Sequence, residues 1–242
     1  MSLYVGTSGY SYKEWKGSFY PEKIAAKEML PYYASRLQAV ELNNTFYRLP
    51  QRSMVESWKA QVPDNFRFSV KASQRITHFK RLKDAAAETQ FMLETVSALE
   101  DRLGVVLFQL PPNMKKDLER LETFLKALPA DTPTAFEFRH PTWFDDDVLA
   151  LLRSQNRALC VSDTDDLPAS HIDKTADWGY LRLRRVQYSE SDLAEWIKRV
   201  RAQQWKTTFV FFKHEDEGTG PKLAAQFLAL NETADDADKI RI

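Results

Sequence analysis

The chain has 242 residues, of which 43% are hydrophobic and 28% charged, a composition typical of a folded domain. Its 34 Lys and Arg residues balance its 34 Asp and Glu residues, so the net charge gives no reason to expect binding to nucleic acid or to a membrane surface. No apolar run approaches the roughly 18 residues of a membrane span, and the N-terminus has no signal-peptide pattern. These absences predict a cytoplasmic protein with no membrane partner.

Short apolar runs alternate with helical patterns along the first half of the chain. An aromatic loop, Tyr10–Tyr20, follows the first of these runs. Ser53 and Glu56 have the spacing of a capping box. Gly104 predicts the end of the third helix, whose apolar residues include Phe91. The predicted strands are Leu3–Thr7, Ala39–Asn43, Phe66–Lys71 and Val105–Gln109, and the predicted helices are Lys23–Leu37, Ser53–Gln61 and Asp84–Arg102.

The same alternation continues to the end of the chain. A fifth strand begins at Phe136, runs through Arg139 and leads into His140 and Trp143. The segment Thr164–Asp177 shows no helical pattern. The remaining predicted strands are Ala158–Asp163, Tyr180–Arg184 and Thr208–Lys213, and the remaining predicted helices are Lys115–Leu128, Asp145–Gln155, Ser189–Gln203 and Pro221–Leu230.

Eight strands alternating with helices predict an α/β fold, namely a single TIM-type (β/α)8 barrel over residues 1–242 with an abbreviated sixth βα unit. The usual length of such a barrel, about 250 residues, matches the chain. The main alternative is an open doubly wound sheet, but no G-x-G-x-x-G motif follows the first strand. The single cysteine, Cys160, lies in an apolar run and is expected to be a small buried side chain.

Polar residues occur at one parity and at one end of nearly every predicted strand. On the fifth strand, Glu137 and Arg139 share one face, and Phe136 and Phe138 share the other. The inner face of a TIM barrel opens to solvent at the carboxyl ends of the strands, where active sites form. The pattern predicts a site that contains Glu41, Asn43, Lys71, Gln109, Glu137, Arg139, Asp163, Arg182, Arg184 and Lys213. The alternative is that ion pairs plug the barrel interior, which is the favoured interpretation for Arg67.

The composition of this set limits its chemistry. Glu137 and Glu41 are candidate general acids or bases, and Lys71 is a catalytic candidate that shapes charge at the reacting centre. The clustered Arg and Lys residues suit an anionic ligand such as a phosphate or a carboxylate. Paired carboxylates permit glycoside hydrolysis, but so much positive charge argues against a neutral sugar as the only substrate. In the alternative interpretation, Glu137 only neutralises a neighbouring arginine.

Weaker signals lie beside the strand ends. Tyr47 and Trp143 are candidates for stacking on a ligand, with His140 as a further ligand contact, whereas most other rings are expected to pack on one another. The segment Gly218–Lys222 precedes a helix and could hold a phosphate, although a plain turn explains it equally well. The four histidines show no zinc-ligand spacing. We therefore predict no metal site and no cofactor, with room only for a labile Mg²⁺ carried by a phosphate ligand.

Several motifs occur in order across nearly the whole chain. They are Val5-Gly6-Thr7-Ser8-Gly9-Tyr10, Glu41-Leu42-Asn43-Asn44-Thr45-Phe46-Tyr47, Phe68-Ser69-Val70-Lys71, Thr77-His78, Leu107-Phe108-Gln109-Leu110-Pro111-Pro112, Glu137-Phe138-Arg139-His140 and Tyr180-Leu181-Arg182-Leu183. Together they resemble the motifs of the YecE-like (DUF72) family of uncharacterised proteins, and the resemblance implies a TIM-type barrel and no established activity.

This chain departs from the family pattern at Arg184-Arg185, where the family has His-Gly, and at Lys213-His214, where it usually has two Asn residues. Both departures add positive charge at the mouth of the barrel and put in doubt any family reaction that needs those residues.

Three functions are compatible with these features. The first is an enzyme, with hydrolase or lyase chemistry, that acts on a phosphorylated or other anionic small molecule or a nucleotide. The second is a nucleic-acid-binding or endonuclease-like barrel, and the third is a non-catalytic barrel that binds a ligand. The balanced net charge favours the first over the second, because a long nucleic-acid footprint normally shows as a basic surplus. The sequence assigns neither enzymatic activity nor an oligomeric state.

Overall fold

Eight parallel strands form a closed barrel in the structure, a computed structural model that describes residues 1–169, 171–214 and 216–240. Each strand pairs with the next along the chain, and the last strand pairs with the first. The predicted TIM-type α/β barrel is therefore confirmed. The strands are β1 (Ser2–Ser8), β2 (Ala39–Leu42), β3 (Arg67–Lys71), β4 (Leu103–Gln109), β5 (Thr134–Glu137), β6 (Ala158–Asp163), β7 (Trp178–Leu183) and β8 (Thr207–Phe212).

Helices cover the outside of the barrel. They are α1 (Met29–Ala34), α2 (Arg52–Ala60), α3 (Ala86–Val96), α4 (Leu118–Lys126), α5 (Asp146–Ser154), α6 (Glu190–Ala202) and α7 (Thr219–Ile240). The described residues between β6 and β7 contain no helix, so the abbreviated sixth unit is confirmed. None of the helices in the described ranges combines the length and the apolar character that crossing a membrane requires.

The alternation of side chains along the strands divides the apolar residues into two cores. Residues of one parity, such as Phe68 and Leu181, point outward and pack with the helices. Residues of the other parity, such as Leu107, Tyr180 and Phe211, fill the interior of the barrel. Because these rings occupy the lower interior, the charged residues of the same parity are left at the carboxyl ends of the strands.

Several predicted helix boundaries are wrong. The N-cap of α2 is Gln51, so Ser53 lies inside the helix and forms no capping box with Glu56. The helix predicted over Asp84–Arg102 ends at Val96. The 3-10 stretch that follows, Ser97–Arg102, is interrupted by a kink at Glu100, whose backbone is not helical (φ 49°).

Two single residues in the same region also differ from prediction. Gly104 lies inside β4 and does not end a helix. A Cβ atom at this position would lie 2.9 Å from the ring of Phe209 in the barrel interior, so a close approach between strands explains the glycine. Phe91, predicted to face the core, is 64% exposed. The apolar period of a helix is therefore not sufficient to place every ring on its buried face.

The barrel is incompletely paired at one position. β5 ends at Glu137 and not at Arg139 as predicted. It pairs with β6 only through Ala135 with Ala158 and Phe136 with Leu159, whereas β6 and β7 pair over four residues. Beyond Phe136 and Leu159 the two strands separate, which leaves a lateral gap at the carboxyl end of the barrel.

Candidate functional site at the mouth of the barrel

One arginine joins two carboxylates across the mouth of the barrel. Arg182 on β7 donates from Nη1 to Oε2 of Glu137 on β5 at 2.5 Å and from Nη2 to Oε1 of Glu41 on β2 at 2.8 Å. All three side chains are at most 3% exposed. Both terminal nitrogens of Arg182 are occupied, so this arginine is poorly placed to hold a ligand. This contact was predicted, because all three residues have inward parity near the carboxyl ends of their strands.

Glu41 accepts hydrogen bonds from three further donors. Tyr180 donates its hydroxyl to Oε2 at 2.6 Å, Ser8 donates to Oε1 at 2.7 Å, and the amide of Asn43 donates to Oε1 at 3.1 Å. Burial alone would raise the pKa of Glu41, but the charge of Arg182 and these hydrogen bonds outweigh burial and hold the pKa below its usual value. Glu41 is therefore a fixed anion.

Glu137 is surrounded by three arginines. Besides Arg182, it accepts from Nε of Arg139 and from Nη2 of Arg184, each at 3.1 Å and each on Oε1. Burial acts to raise its pKa, but the charges of Arg182, Arg184 and Arg139 lower it to about 2. A carboxylate this acidic holds no proton near neutral pH. The geometry favours the interpretation that Glu137 neutralises its neighbouring arginines.

Lys71 lies at the end of β3, on the side of the strand that faces the mouth. Its Nζ lies 4.2 Å from the centroid of the Phe46 ring and makes no hydrogen bond or ion pair with the described residues. Burial lowers the pKa of Lys71, and the charge of Arg182 lowers it further, to about 8, against the opposite influence of Glu41 and Glu137. Its amine therefore exchanges a proton close to physiological pH.

His78 lies beside Lys71 and was missed as a site residue. Its ring contacts that of Phe46 edge-on at 4.9 Å, and its Nδ1 lies 2.9 Å from the hydroxyl of Thr77. Burial lowers the pKa of His78, as do the charges of Lys71 and Arg139, so the imidazole is neutral at pH 7. His78 belongs to a turn of π-helix, Arg75–Phe79, that follows β3. Such turns are frequent at functional sites. In the sequence, the signal available for His78 was the Thr77-His78 motif that matches the family pattern.

Cations outnumber anions at the mouth. The two buried carboxylates Glu41 and Glu137 face Lys71, Arg139, Arg182 and Arg184, all of which influence or contact them. Four positive charges against two negative charges leave an excess of two when Lys71 is protonated. Among the residues that the structure describes, no group of three or more His, Cys, Asp or Glu side chains is arranged to hold a metal ion.

Three predicted ligand contacts lie outside this cluster, namely Asp163, Trp143 and His140. Asp163 has the outward parity of Val161 and accepts from Nε of Arg185 and the hydroxyl of Tyr188, both at 2.8 Å. Trp143 is fully buried, and its indole donates to the carbonyl of Met114 at 2.7 Å. These side chains fasten loops and present no surface to the mouth. The outward parity of Asp163 follows from the alternation along β6, in which Ala158 and Cys160 face the interior of the barrel.

His140 is likewise placed by a structural contact. Its Nδ1 accepts from the backbone N–H of Thr142 at 3.2 Å and caps a 3-10 helix, Pro141–Trp143. Gly218 adopts φ 75° in the turn before α7, and a Cβ there would lie 2.6 Å from Oγ of Ser18. Only Gly218 belongs to this turn, because Thr219–Lys222 already lie in the first turn of α7 and not before the helix as predicted.

The remaining predicted residues lie at or near the mouth. Gln109 is buried in register with Glu137, and its side-chain amide makes no hydrogen bond with the described residues. Arg184 donates to Ser162 at 2.5 Å as well as to Glu137. Tyr47 is 74% exposed, and Lys213 is exposed at the end of β8. The site therefore has a buried ionic floor and an exposed rim.

A closed barrel of eight parallel strands with polar groups gathered at their carboxyl ends places the protein in the TIM-barrel class. Residues 4–240 match the family model described as protein of unknown function DUF72, and the chain belongs to this family. The resemblance seen in the sequence motifs is thereby confirmed.

Relatives and solved structures agree with this assignment. The UPF0759 protein YunF of Bacillus subtilis (strain 168) is 28% identical, with 94% of each chain covered. The UPF0759 protein YecE of Escherichia coli (strain K12) is 31% identical over 59% of this chain and 50% of the relative. The crystal structure of a DUF72 family protein from Thermotoga maritima superposes with a TM-score of 0.83 at 29% identity and covers 96% of this chain and 100% of that one.

Proposed function

We propose that the mouth of the barrel binds an anionic small molecule, such as a phosphorylated compound or a nucleotide, and that Lys71 transfers a proton in a hydrolase or lyase reaction. The observation that carries this proposal is the state of Lys71: a half-buried amine with a pKa of about 8 and no hydrogen-bond partner among the described residues. General acid–base catalysis is most efficient when the pKa of the group lies near the working pH.

The two carboxylates support Lys71 and do not replace it. Glu137, with a pKa of about 2, and Glu41, whose pKa is also lowered, remain ionised near neutral pH. A general acid must carry a proton, and a general base this acidic has little tendency to accept one. Their role in the proposal is to hold Arg182 and thereby fix the charges of the mouth before a ligand arrives.

The excess of positive charge supports an anionic ligand. An anion beside Lys71 would stabilise its protonated form and so raise its pKa. Arg139 is 37% exposed and uses only its Nε in contacts with described residues, so its terminal nitrogens present a planar fork suited to a carboxylate or a phosphate. A ligand that binds here would be drawn both by charge and by hydrogen-bond geometry.

The proposal is tested by a thermal-shift screen of phosphosugars, nucleotides and simple carboxylates. A ligand that binds the folded protein raises the unfolding midpoint by mass action. We expect one class of anion to stabilise the wild type and the Lys198→Met control, whose lysine is 80% exposed on α6, but to stabilise Lys71→Met much less. Equal stabilisation of all three proteins would contradict a role for Lys71 in binding.

Catalysis is separated from binding by a charge-conserving variant. Arginine does not release its proton near neutral pH, so Lys71→Arg keeps the positive charge but cannot transfer a proton. Incubation of the stabilising ligand with the wild type should yield products detectable by mass spectrometry, whereas Lys71→Arg should bind the ligand and leave it intact. Unchanged turnover in Lys71→Arg would assign proton transfer to another group.

A second function is favoured by exposed rings at the rim. Tyr47 is 74% exposed and contacts Phe46 at 5.0 Å, and Phe79, next to His78, is 71% exposed. Exposed rings near arginines can stack on the bases of single-stranded nucleic acid. In that case Tyr47→Ala should weaken oligonucleotide binding about tenfold, as expected for the loss of a stacked base. The affinity should also fall steeply with salt.

A further inference from the structure

A cavity lies between β5 and β6 where the two strands separate. Its volume is about 610 Å³, within the usual range of small-molecule sites, about 300–1,000 Å³. On the β5 side it is lined by Phe138 and Arg139, and on the β6 side by Leu159, Val161 and Ser162. These residues come from both faces of the strands, so the cavity passes from the interior of the barrel mouth to its outer surface.

The cavity exists because the sixth unit has no helix among its described residues. Phe138, Leu159 and Val161 have the outward parity that a helix normally covers in this fold. Here the segment 164–169 lies over them, and its Leu167 lines the cavity while remaining 64% exposed. Phe144, at 48% exposure, also lines it. An apolar passage with exposed apolar residues at its entrance is suited to an apolar group.

The inner part of the same cavity is cationic. Arg139 and Arg184 both line it and both donate to Oε1 of Glu137 at 3.1 Å. The terminal nitrogens of Arg139 make no hydrogen bond with the described residues, and Nε of Arg184 is buried without a partner. Three acidic residues also line the cavity. Glu137 contacts three arginines, Asp173 lies 3.0 Å from His171, and Asp166 is exposed to solvent.

From these observations we infer that the ligand is an amphipathic anion. Its carboxylate or phosphate group lies against Arg139 and Arg184, and its apolar chain or ring lies in the cleft between β5 and β6. This inference rests on the proposed anion-binding function and narrows its ligand class. A wholly polar ligand such as a free phosphosugar would leave the apolar walls in contact with water and gain nothing from them.

The test is a series of ligands with one head group and growing chains. Calorimetry would compare inorganic phosphate with methyl, butyl and octyl phosphate, and acetate with butyrate and octanoate. Each methylene that enters the cleft should tighten binding about fourfold, until the chain fills the cavity. Comparison of octyl phosphate with octanoate identifies the preferred head group, which is whichever binds more tightly.

Two variants, Leu167→Glu and Val161→Phe, test whether the apolar chain of the ligand lies in the cleft between β5 and β6. Leu167→Glu places a charge at the entrance, on a residue exposed enough to leave folding intact, and should abolish the dependence on chain length while inorganic phosphate still binds. Phe91→Glu is the matched control, because Phe91 has the same 64% exposure and lies outside the cavity. Val161→Phe fills the cleft from the strand side and should act like Leu167→Glu.

The outcomes separate this inference from the proposed function. Tightening with chain length that Leu167→Glu removes and Phe91→Glu preserves would support the amphipathic ligand. Two outcomes would contradict binding in the cleft but not the anion site. One is an affinity for anions that does not depend on the length of the ligand chain, and the other is a dependence on chain length that persists in Leu167→Glu. No binding by any anion would overturn both.

Discussion

Arg182 shows how one residue can determine the stability of a site. It is buried between Glu41 and Glu137, and its removal would leave Glu41 buried without a cation, although Glu137 would keep its contacts with Arg139 and Arg184. Breaking a buried ion pair by removing one partner typically costs about 3–5 kcal/mol. We therefore expect Arg182→Ala to lower the free energy of unfolding by about this amount in urea denaturation.

An exposed ion pair provides the control for this prediction. Lys126 and Glu122 on α4 lie 2.7 Å apart, and their side chains are 67% and 46% exposed. Lys126→Ala should change the free energy of unfolding by no more than about 0.5 kcal/mol. If Arg182→Ala cost as little, the ion pairs across the mouth would not contribute to folding, and the preorganisation argued for Lys71 would lose its basis.

The acidity of Glu137 predicts how stability depends on pH. Its pKa is about 2 in the folded protein and near 4.5 when unperturbed, so the unfolded state binds the proton more readily. The stabilisation is complete above about pH 4.5 and is lost as the pH falls toward 2, a difference of about 3 kcal/mol. Urea unfolding at successive pH values between 7 and 2 measures this loss.

Glu137→Gln tests the assignment of that dependence. The amide does not titrate, so the variant should be less stable at pH 7 but should lose less stability than the wild type between pH 5 and 2. Some dependence should remain, because the pKa of Glu41 is lowered as well. A variant that followed the wild-type curve in parallel would show that Glu137 is not the group responsible.

At the level of single residues, the sequence predicted which side chains meet at the mouth but not how they pair. Inward parity correctly placed Glu41, Glu137 and Arg182 together, although 141 positions separate Glu41 from Arg182. Parity cannot show that both carboxylates are saturated with donors, because that depends on distances between strands far apart in the chain. Of the three catalytic candidates, the proposal therefore assigns proton transfer to Lys71 and not to Glu41 or Glu137.

Helix α6 begins with a capping box, whereas the capping box predicted for α2 does not form. Oγ of Ser189 accepts from the backbone N–H of Asp192 at 3.1 Å, and Oδ2 of Asp192 accepts from the backbone N–H of Ser189 at 2.9 Å. Ser53 has a similar sequence context but lies inside α2 and is exposed. We expect Ser189→Ala to cost about 0.5–2 kcal/mol of stability.

Ser53→Ala serves as the matched comparison in thermal or urea unfolding. It removes a hydroxyl that caps nothing and replaces serine with the best helix former, so its effect should be neutral or slightly stabilising. The two helices explain why boundaries are harder to predict than elements: a capping motif is four residues long, whereas a helix is selected by its whole buried face. A large loss for Ser53→Ala would contradict this view of α2.

The bounds of a strand or helix were predicted well where a local sequence pattern defines them. They were predicted poorly where they depend on contacts with residues distant in the chain. β6 has the predicted bounds, Ala158–Asp163, because an apolar run between polar residues defines it. The early end of β5 depends on its pairing with β6, which no local pattern encodes. The π-helical turn at Arg75–Phe79 was missed for the same reason, since the contact of His78 with Phe46 joins two different loops.

For the whole molecule, closure of the barrel is what turns scattered polar residues into one site. Glu41 from β2 and Arg182 from β7 come within 2.8 Å of each other because the strands form a ring, in which β1 and β8 pair. Both departures from the family pattern, Arg184-Arg185 and Lys213-His214, lie on strands β7 and β8 or directly after them. Of these residues, Arg184 joins the ionic floor, whereas Arg185 pairs with Asp163 outside it.

The gathering of positive charges around Lys71 at the mouth predicts how anion binding depends on pH. Lys71 carries its positive charge below its pKa of about 8 and loses it above. Affinity for an anion should therefore be constant near pH 6.5 and weaken as the pH rises to 9.5, by about tenfold for each 1.4 kcal/mol that the charge contributes. Because the anion raises the pKa of Lys71, binding near pH 8 should also take up protons, which calorimetry in buffers of different ionisation enthalpy detects.

Two substitutions at the same position determine whether Lys71 is the titrating group. Lys71→Arg retains a charge that does not titrate in this range, so its affinity should persist to pH 9.5. Lys71→Met has no charge, so its affinity should be low at every pH and should show no proton uptake near pH 8. A wild-type profile that both variants reproduce would assign the titration to another group, and the excess positive charge of the mouth would then act without Lys71.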